Sequence, residues 1–304
     1  MSLVALKIDV DTYRGTREGV PRLADLLDRL GARATFLFSL GPDHTGRAVR
    51  RAFRPGFVGK VRRTSVLKHY GLKTLLYGTV LPGPHIGRKC SAIMQGVAKR
   101  GFEVGVHTYD HVRWQDNVAA ADETWTRREL TRARDQFAES FGRAPTVHGA
   151  AGWQVNRFVP GLESELGFEY ASDVRGAFPF IPVVNGVAVE VPQLPTTLPT
   201  LDELVGREDL LGTDPIDHLL CLTDANSRKD HVYTLHAELE GGAYLEAFER
   251  LLRSWQDRSV QLTDLAAYAR TLDFKSLPHC EIVEGSVAGR AGTLASQSLS
   301  VGNA

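Results

Sequence analysis

The segment LVALKID, residues 3–9, is a short apolar and β-branched run that ends in a carboxylate. A run of this kind predicts a buried β-strand. In residues 18–30, valine and leucine side chains then recur at helical spacing. The chain therefore begins with a strand followed by a helix, which is the repeating unit of α/β proteins.

The same unit recurs along the chain. Further strands are predicted at residues 34–40, 102–107, 146–150, 168–172 and 232–236. Further helices are predicted at residues 91–100, 121–141, 157–166 and 243–255. A Pro-rich stretch before the last strand is expected to contain a hairpin. The alternation predicts an α/β fold with a mostly parallel sheet and crossover helices, which an incomplete (β/α) barrel accommodates.

The composition predicts a globular protein. The chain has 304 residues, of which 43% are apolar, and Lys plus Arg equals Asp plus Glu. Its three cysteines are far apart and form no CxxC pair, which argues against a disulfide framework or a thiolate zinc site and favours a reducing cytosol. Because the sequence shows no signal peptide and no long apolar window, we expect a cytoplasmic protein.

The domain organisation follows from length and periodicity. We predict one catalytic domain over residues 1–275, since the chain is long enough to bury a sizeable core. Residues 281–304 are rich in Gly, Ser and Ala and lack core periodicity. We therefore expect a flexible C-terminal tail.

Ionisable side chains stand at or just past the predicted strand ends. In α/β folds the active site collects where the strands end at their C-terminal edge. The residues expected to meet on this rim are Asp9, Asp11, His107, His111, His148 and His236.

Asp9 and Asp11 lie two residues apart, so a regular strand projects both carboxylates to one face. Two neighbouring carboxylates repel each other unless a cation sits between them or one is protonated. A solvated turn after the first strand is the alternative interpretation of a DxD pair.

His107 and His111 form an HxxxH pair, which we expect to place two imidazoles on one side of a helical turn, within reach of one metal ion. One capping and one surface histidine would give the same spacing. Two histidines and a carboxylate leave coordination positions open, as a catalytic metal site requires. We predict one divalent ion; zinc is the default, but manganese, cobalt or iron also suit this ligand set.

His236 ends the strand in VYTLHAE. It could serve as a fourth metal ligand or as a general acid, and the acid is preferred because three protein ligands already suffice. A histidine that only closes the strand by a hydrogen bond is the alternative. His148 is placed at the rim without a role.

These motifs resemble, in order, those of the polysaccharide deacetylase (NodB-homology) family, over roughly residues 3–270. The resemblance implies an incomplete (β/α) barrel and metal-dependent removal of N-acyl or O-acyl groups from sugars. It implies that Asp9 is the base, that Asp11, His107 and His111 bind the metal, and that His236 is the acid.

The chain departs from the family pattern at two motifs. The adjacent aspartates of TFDD are replaced by IDVD, and the RxPY segment is replaced by HGAAGWQ, residues 148–154, which lacks the arginine that holds the base. We hypothesise that Arg175 in YASDVRG supplies this charge, with Asp173 beside it and Trp153 as a further support.

The departures resemble a deformylase subgroup of the family that acts on a formamido sugar carried by a polyprenyl phosphate. A basic and apolar insertion at residues 44–89 agrees with a lipid substrate. It has no acidic residue, and its basic residues are Arg47, Arg50, Arg51, Arg54, Lys60, Arg62, Arg63, Lys68, Lys73, Arg88 and Lys89.

Such an insertion suits a peripheral protein on the anionic inner face of the inner membrane. A solvated loop is the alternative interpretation, and nucleic acid is not predicted because no binding motif accompanies the charge. Two competing functions remain open: N-deacetylation of another sugar or cell-wall glycan, and a non-catalytic module that binds sugar lipids or membranes.

Overall fold

The computed structural model describes residues 2–48, 74–223 and 229–298. The strands are β1 Leu3–Val10, β2 Thr35–Ser39, β3 Glu103–Thr108, β4 Val147–His148, β5 Tyr170–Ala171, β6 Ile181–Val184, β7 Val187–Ala188, β8 His231–His236, β9 Gln261–Thr263, β10 His279–Gly285 and β11 Leu294–Gln297.

The helices connect these strands. They are α1 Val20–Arg29, α2 Thr45–Ala48, α3 Ile86–Lys89, α4 Ser91–Lys99, α5 His111–Asn117, α6 Glu123–Phe141, α7 Val159–Leu166, α8 Leu201–Leu204, α9 Pro215–Leu222, α10 Leu245–Asp257 and α11 Leu265–Arg270. A π-helical turn, Gly15–Gly19, precedes α1, and a 3-10 turn covers Ala151–Trp153.

The main sheet is parallel and has the strand order β5-β4-β3-β2-β1-β8, with β9 paired to the N-terminal half of β1. An irregular segment bridges the gap between β5 and β8. Within it, the Leu194 N–H donates to the carbonyl of Ala171, and the Thr197 N–H donates to that of Val232. The predicted incomplete (β/α) barrel is therefore confirmed.

Side chains of β1 alternate between two sides of the sheet. Leu6, Ile8 and Val10 belong to the large apolar cluster that includes residues of α1 and α10. Leu3 and Ala5 instead contact apolar residues of other strands inside the barrel. Because alternate residues of a strand share a face, Lys7 and Asp9 continue this inner face towards the C-terminal rim. All eight residues of the strand are buried.

A second, smaller sheet has the order β11-β10-β6-β7, in which β6 and β7 form the expected hairpin. Residues 281–298 do not form the expected flexible tail. In this range β10 pairs with β6 and with β11. Cys280 and Ala295 are buried against Val174 and Phe180, so this stretch is anchored by packing with distant residues. Residues 299–304 lie outside the described residues.

Only the two ends of the predicted insertion are described. Residues 44–48 contain α2, and residues 74–89 contain a 3-10 turn, Thr74–Leu76, and α3. Residues 49–73, which carry most of the basic side chains, lie outside the described residues. In the described ranges, no helix is both long enough and apolar enough to cross a bilayer.

Candidate metal centre

Asp11, His107 and His111 converge at the C-terminal rim of the barrel. Asp11 Oδ1 lies 3.2 Å from His107 Nε2 and 3.4 Å from His111 Nε2. The ligand-type atoms of the three residues all lie within 4.8 Å of one another. Asp11 Oδ1 is buried and has no hydrogen-bond partner among the described residues. An orphaned carboxylate oxygen faced by two imidazole nitrogens fits a divalent cation.

The electrostatics of Asp11 agree with a cation site. Burial by itself raises the pKa of this carboxyl, but the nearby imidazoles of His111 and His107 lower it more, so the net pKa is well below the usual range. Asp11 is therefore an anion over the physiological pH range, as a metal ligand must be.

The two histidines lie in different secondary-structure elements, whereas the sequence predicted both on one side of a helical turn. His107 is the fifth residue of β3, whereas His111 is the first residue of α5. Asp110 makes this change of direction possible, because its side chain caps α5 by accepting the Arg113 N–H. The imidazole centroids are 5.4 Å apart. The pair is thus formed by a strand end and a helix start.

A backbone carbonyl fixes the tautomer of His107. Its Nδ1 lies 2.6 Å from the carbonyl oxygen of Gly149, which can only accept. Nδ1 therefore carries a proton, and Nε2, which lies on the Asp11 side, is the nitrogen that could bind a metal ion. The HGAAGWQ segment thus supports a candidate ligand.

Asp9 lies beside this cluster and is buried. Its Oδ2 is 3.4 Å from Lys7 Nζ, and its Oδ1 is 3.7 Å from His107 Nδ1. Oδ1 has no hydrogen-bond partner in the described parts of the chain. Sequence reasoning did not single out Lys7, although its position two residues before Asp9 places both side chains on one face of β1.

The hypothesis that Arg175 supplies the charge beside Asp9 is wrong. The guanidinium of Arg175 donates to both carboxylate oxygens of Glu203, at 2.9 and 3.0 Å, and to the carbonyl of Leu198. Glu203 belongs to α8, which also begins with a capping box. Arg175 therefore ties the segment after β5 to α8, and among the described residues Lys7 is the cation that faces Asp9.

Asp173 and His148 form a separate buried group with Glu163. His148 Nδ1 lies 2.6 Å from Glu163 Oε1 and 3.0 Å from Asp173 Oδ1, so one N–H is shared between two carboxyl groups. Asp173 Oδ1 also accepts the Ala150 N–H. His148 is fully buried rather than exposed at the rim. This group anchors the loop that carries Gly149, and so supports His107 indirectly.

The three residues of this group, His148, Asp173 and Glu163, differ in their charge state. Burial lowers the pKa of His148, but the carboxylates of Asp173 and Glu163 outweigh it and raise this pKa to about 10. Burial and the charge of Asp173 raise the pKa of Glu163 well above its usual value. His148 and Asp173 therefore form the ion pair, and Glu163 remains neutral.

Trp153 packs near both Lys7 and His236. Its ring centroid lies 5.4 Å from Lys7 Nζ and 6.3 Å from the centroid of His236. The backbone φ of Trp153 is 54°, in the left-handed region that larger residues seldom adopt. The indole N–H donates to Thr196 Oγ1, which holds the ring in place. Trp153 is thus held close to both Lys7 and His236.

His236 ends β8 on the other side of the site. Burial lowers its pKa, but Asp202, Asp11 and other carboxylates outweigh this and raise the pKa to about 9. Its Nδ1 is 3.7 Å from Asp202 Oδ1. An imidazole that is protonated at neutral pH can donate a proton, as a general acid does.

Glu238, two residues further on, was not singled out from the sequence. Its Oε1 accepts the backbone N–H groups of Asp11 and Thr12 and the hydroxyl of Thr12. This carboxyl group therefore fixes the turn that presents Asp11. Burial, and secondarily the charge of Asp11, raise the pKa of Glu238 to about 8.

Comparison with known proteins gives concordant matches. The family model described as "Polysaccharide deacetylase" matches residues 2–171, more than half of the chain. A protein of Shewanella sediminis (strain HAW-EB3) is 34% identical over 296 residues, which cover 97% of this chain and 94% of the relative. A protein of Wigglesworthia glossinidia brevipalpis is 30% identical over 285 residues, which cover 93% and 98%. Both are named "Probable 4-deoxy-4-formamido-L-arabinose-phosphoundecaprenol deformylase ArnD".

The fold also resembles a solved structure. A crystal structure from Mycobacterium smegmatis, whose name gives it as a polysaccharide deacetylase, superposes with a TM-score of 0.64 at 19% identity. The match covers 94% of this chain and 95% of that chain. At 19% sequence identity, this structural similarity is evidence for the shared fold only.

Proposed function

The chain belongs to the polysaccharide deacetylase family, and from this premise we propose that it is a metal-dependent deformylase of undecaprenyl-phosphate 4-formamido-4-deoxy-L-arabinose. The reaction hydrolyses the N-formyl amide to formate and the free amine. Membership of the family makes the chain a hydrolase of amide bonds. The finer choice of substrate is supported by two relatives that carry this activity in their names and align over almost their whole length.

The observation that carries the proposal is the convergence of Asp11, His107 and His111 between Asp9 and His236. Asp11, His107 and His111 would hold the metal ion. When bound, a divalent ion polarises the amide carbonyl and lowers the pKa of water, which supplies a nucleophile at neutral pH. The ligand set suits zinc, manganese, cobalt or iron.

Asp9 would act as the general base. Its Oδ1 faces His107 and has no hydrogen-bond partner among the described residues, whereas Oδ2 faces Lys7. One carboxylate oxygen is thus available to take the proton of the attacking water. Proton transfer to a side chain held in this way contributes typically about 100-fold to 10,000-fold to a rate.

His236 would act as the general acid. An amine is a poor leaving group until it is protonated, so C–N cleavage needs a proton at the sugar nitrogen. The carboxylate of Asp202, 3.7 Å from Nδ1, favours the charged imidazole and helps to raise the pKa of His236. The buried ring of Trp153, which lies near both His236 and Lys7, would exclude water from this part of the site.

The free amino sugar would then serve the aminoarabinose modification of lipid A, which underlies polymyxin resistance. A lipid-linked substrate requires access to the membrane surface. We place the protein on the inner face of the inner membrane, held by the basic and apolar insertion at residues 44–89. Eleven Lys and Arg residues without an acidic one support electrostatic attraction to anionic lipids.

The test is formate release from the undecaprenyl-phosphate formamido-arabinose in detergent, with metal-stripped protein and after addition of single divalent ions. We expect formate only when an ion is restored, and this result would also exclude a non-catalytic binding module. If no ion restores formate release but an N-acetyl sugar is cleaved, the chain is an N-deacetylase of another glycan and the lipid substrate is wrong.

A further inference from the structure

Lys7 occupies the middle layer of the barrel interior. Below it, Leu3 and Ala5 contact apolar side chains of other strands, and above it stands Asp9. The Lys7 side chain has no exposed surface. A lysine buried in this way is costly unless its charge is paired and its N–H groups are satisfied. Its partners therefore show what the residue does.

Two partners of Lys7 lie at the top of the barrel. Nζ donates to the carbonyl of Ser172 at 2.9 Å and lies 3.4 Å from Asp9 Oδ2. The carbonyl of Ser172, the residue that follows β5, anchors the ammonium across the barrel from β1. The ammonium is thereby fixed between a neutral acceptor and the carboxylate.

The neighbouring loop is shaped around this side chain. A Cβ on Gly149 would lie 3.1 Å from Lys7 Cε and 2.4 Å from Leu37 Cδ1. A glycine at this position therefore leaves room for the Leu37 side chain and for the lysine stem beside it. The same residue supplies the carbonyl that orients His107. The HGAAGWQ segment thus accommodates a cation from β1 although it contributes none of its own.

We propose that Lys7 is the positioning residue of the base, holding Asp9 Oδ2 so that Oδ1 is presented to the attacking water beside His107. This inference rests on the proposed function, since it takes Asp9 as the base. Arg175 cannot share the task, because Glu203 and Leu198 engage its guanidinium. A neutral residue at position 7 would leave the Asp9 carboxylate free to rotate and without its counter-charge.

The first test measures thermal unfolding and needs no substrate. Metal-free wild type, Lys7→Met, Asp9→Asn and the double variant form a double-mutant cycle. Because either single change leaves an unpaired buried charge, we expect each to lower Tm by on the order of 5 °C and the double variant to lose less than their sum. Additive losses would overturn the pairing. Failure of both Lys7→Met and the double variant to fold would also overturn it, because Lys7 would then act through other contacts.

The second test separates positioning from packing. With bound metal verified by elemental analysis, Lys7→Met should keep KM within about twofold and lose kcat by roughly 10-fold to 100-fold, the range expected of a residue that orients a reactive group. Lys7→Arg, which keeps the charge, should recover most of that loss. In the Asp9→Asn background, Lys7→Met should lower kcat no further. A wild-type kcat in Lys7→Met, or a further tenfold loss in the Asp9→Asn background, would refute the inference.

The two proposals fail in different ways. If wild type releases no formate, the deformylase proposal fails, and the kinetic comparison is repeated with metal-dependent hydrolysis of p-nitrophenyl acetate. If wild type is active and Lys7→Met is equally active, only the role of Lys7 fails. The double-mutant unfolding cycle tests the Lys7–Asp9 pairing whether or not the wild type releases formate.

Discussion

The imidazole of His236 faces the carboxylate of Asp202 with 3.7 Å between Nδ1 and Oδ1. The ring of Trp153 lies near both this pair and Lys7, and Lys7 in turn faces Asp9, so the two candidate proton-transfer groups have separate supporting charges. The pKa of His236 is raised, and Oδ1 of Asp9 has no hydrogen-bond partner among the described residues. This arrangement assigns distinct roles that substitutions can tell apart.

Replacing His236 by Gln should slow cleavage of the amide and spare substrates with good leaving groups. An amine needs protonation, whereas p-nitrophenolate leaves without it. We expect kcat for formamide hydrolysis to fall by about 100-fold or more, with p-nitrophenyl ester hydrolysis within a few-fold of wild type. His231→Gln, at the other end of β8, is the matched control. Loss of metal from His236→Gln would show that this histidine is a ligand instead.

Replacing His107 by Ala should remove metal and activity together. The substitution deletes one of three candidate ligands and leaves Asp11 and His111, which cannot complete a stable site. Elemental analysis after gel filtration should show a substoichiometric metal content, and formate release should fall to background. His218→Ala on α9 is the control. A His107→Ala protein that retains a full equivalent of metal would rule out this centre.

Replacing Asp9 by Asn should leave metal binding intact and abolish turnover. The amide is nearly the same size but cannot accept the proton of water. We expect kcat to fall by about 100-fold to 10,000-fold at unchanged metal content. Asp25→Asn, on the exposed face of α1, should match wild type. Normal turnover by Asp9→Asn would mean that another residue is the base.

Local motifs identified the candidate ligands because the residues of each motif lie within a few positions of one another in the sequence. DxD, HxxxH and a histidine at a strand end each stand at the C-terminal edge of a parallel strand, where side chains converge. The strand and helix periodicities predicted the mostly parallel sheet with crossover helices, and the family resemblance implied the incomplete barrel. The period-two rule could also have revealed Lys7, since it is in phase with Asp9, but a single lysine in a strand more often faces solvent.

The incorrect predictions concern contacts between residues that are distant in sequence. Arg175 was linked to Asp9, whereas its partner Glu203 comes from α8, which only the folded chain brings close. The Gly, Ser and Ala composition after Glu281 resembled a linker, yet β10 pairs with β6, about a hundred residues earlier. Composition does not encode such pairing, because the stability of a strand depends on the neighbour it meets.

The buried His148–Asp173 pair should make stability fall with rising pH. Folding raises the pKa of His148 from 6.5 to about 10, so its stabilising contribution is complete below pH 6.5 and is lost as the pH rises through about 10. Folding lowers the pKa of Asp173 to about 2, so its contribution is lost only in strong acid. Between pH 7 and pH 9.5, the free energy of unfolding should therefore fall.

Urea unfolding across this range, compared with His148→Gln, isolates the contribution of the pair. The variant should be less stable than wild type near pH 7, and the difference should shrink as the pH rises, because wild type then loses its imidazolium. His231→Gln is a control, since the pKa of His231 is lowered to about 4, mainly by burial, and its titration is complete before this range. A constant difference between wild type and His148→Gln would mean that His148 is neutral in the folded protein.

Neutralising the basic insertion should separate membrane binding from catalysis. The variant replaces six cations by Gln: Arg50, Arg51, Arg54, Lys60, Arg62 and Arg63. Each cation near an anionic leaflet contributes about 1 kcal/mol, so partitioning onto phosphatidylglycerol vesicles should fall by at least about 100-fold. Formate release from a water-soluble, short-chain analogue of the substrate should stay near the wild-type rate, because the candidate metal centre is untouched.

The matched control replaces six other exposed arginines by Gln: Arg17, Arg22, Arg29, Arg128, Arg250 and Arg253. This control has the same net charge as the test variant, so a general effect of charge would weaken both proteins equally on anionic vesicles. A loss confined to the insertion variant places the contact at residues 44–89, and an equal loss in both makes the attraction non-specific. Unchanged vesicle binding in both would leave the insertion as a solvated loop, and the enzyme would then have to reach its lipid substrate through another surface.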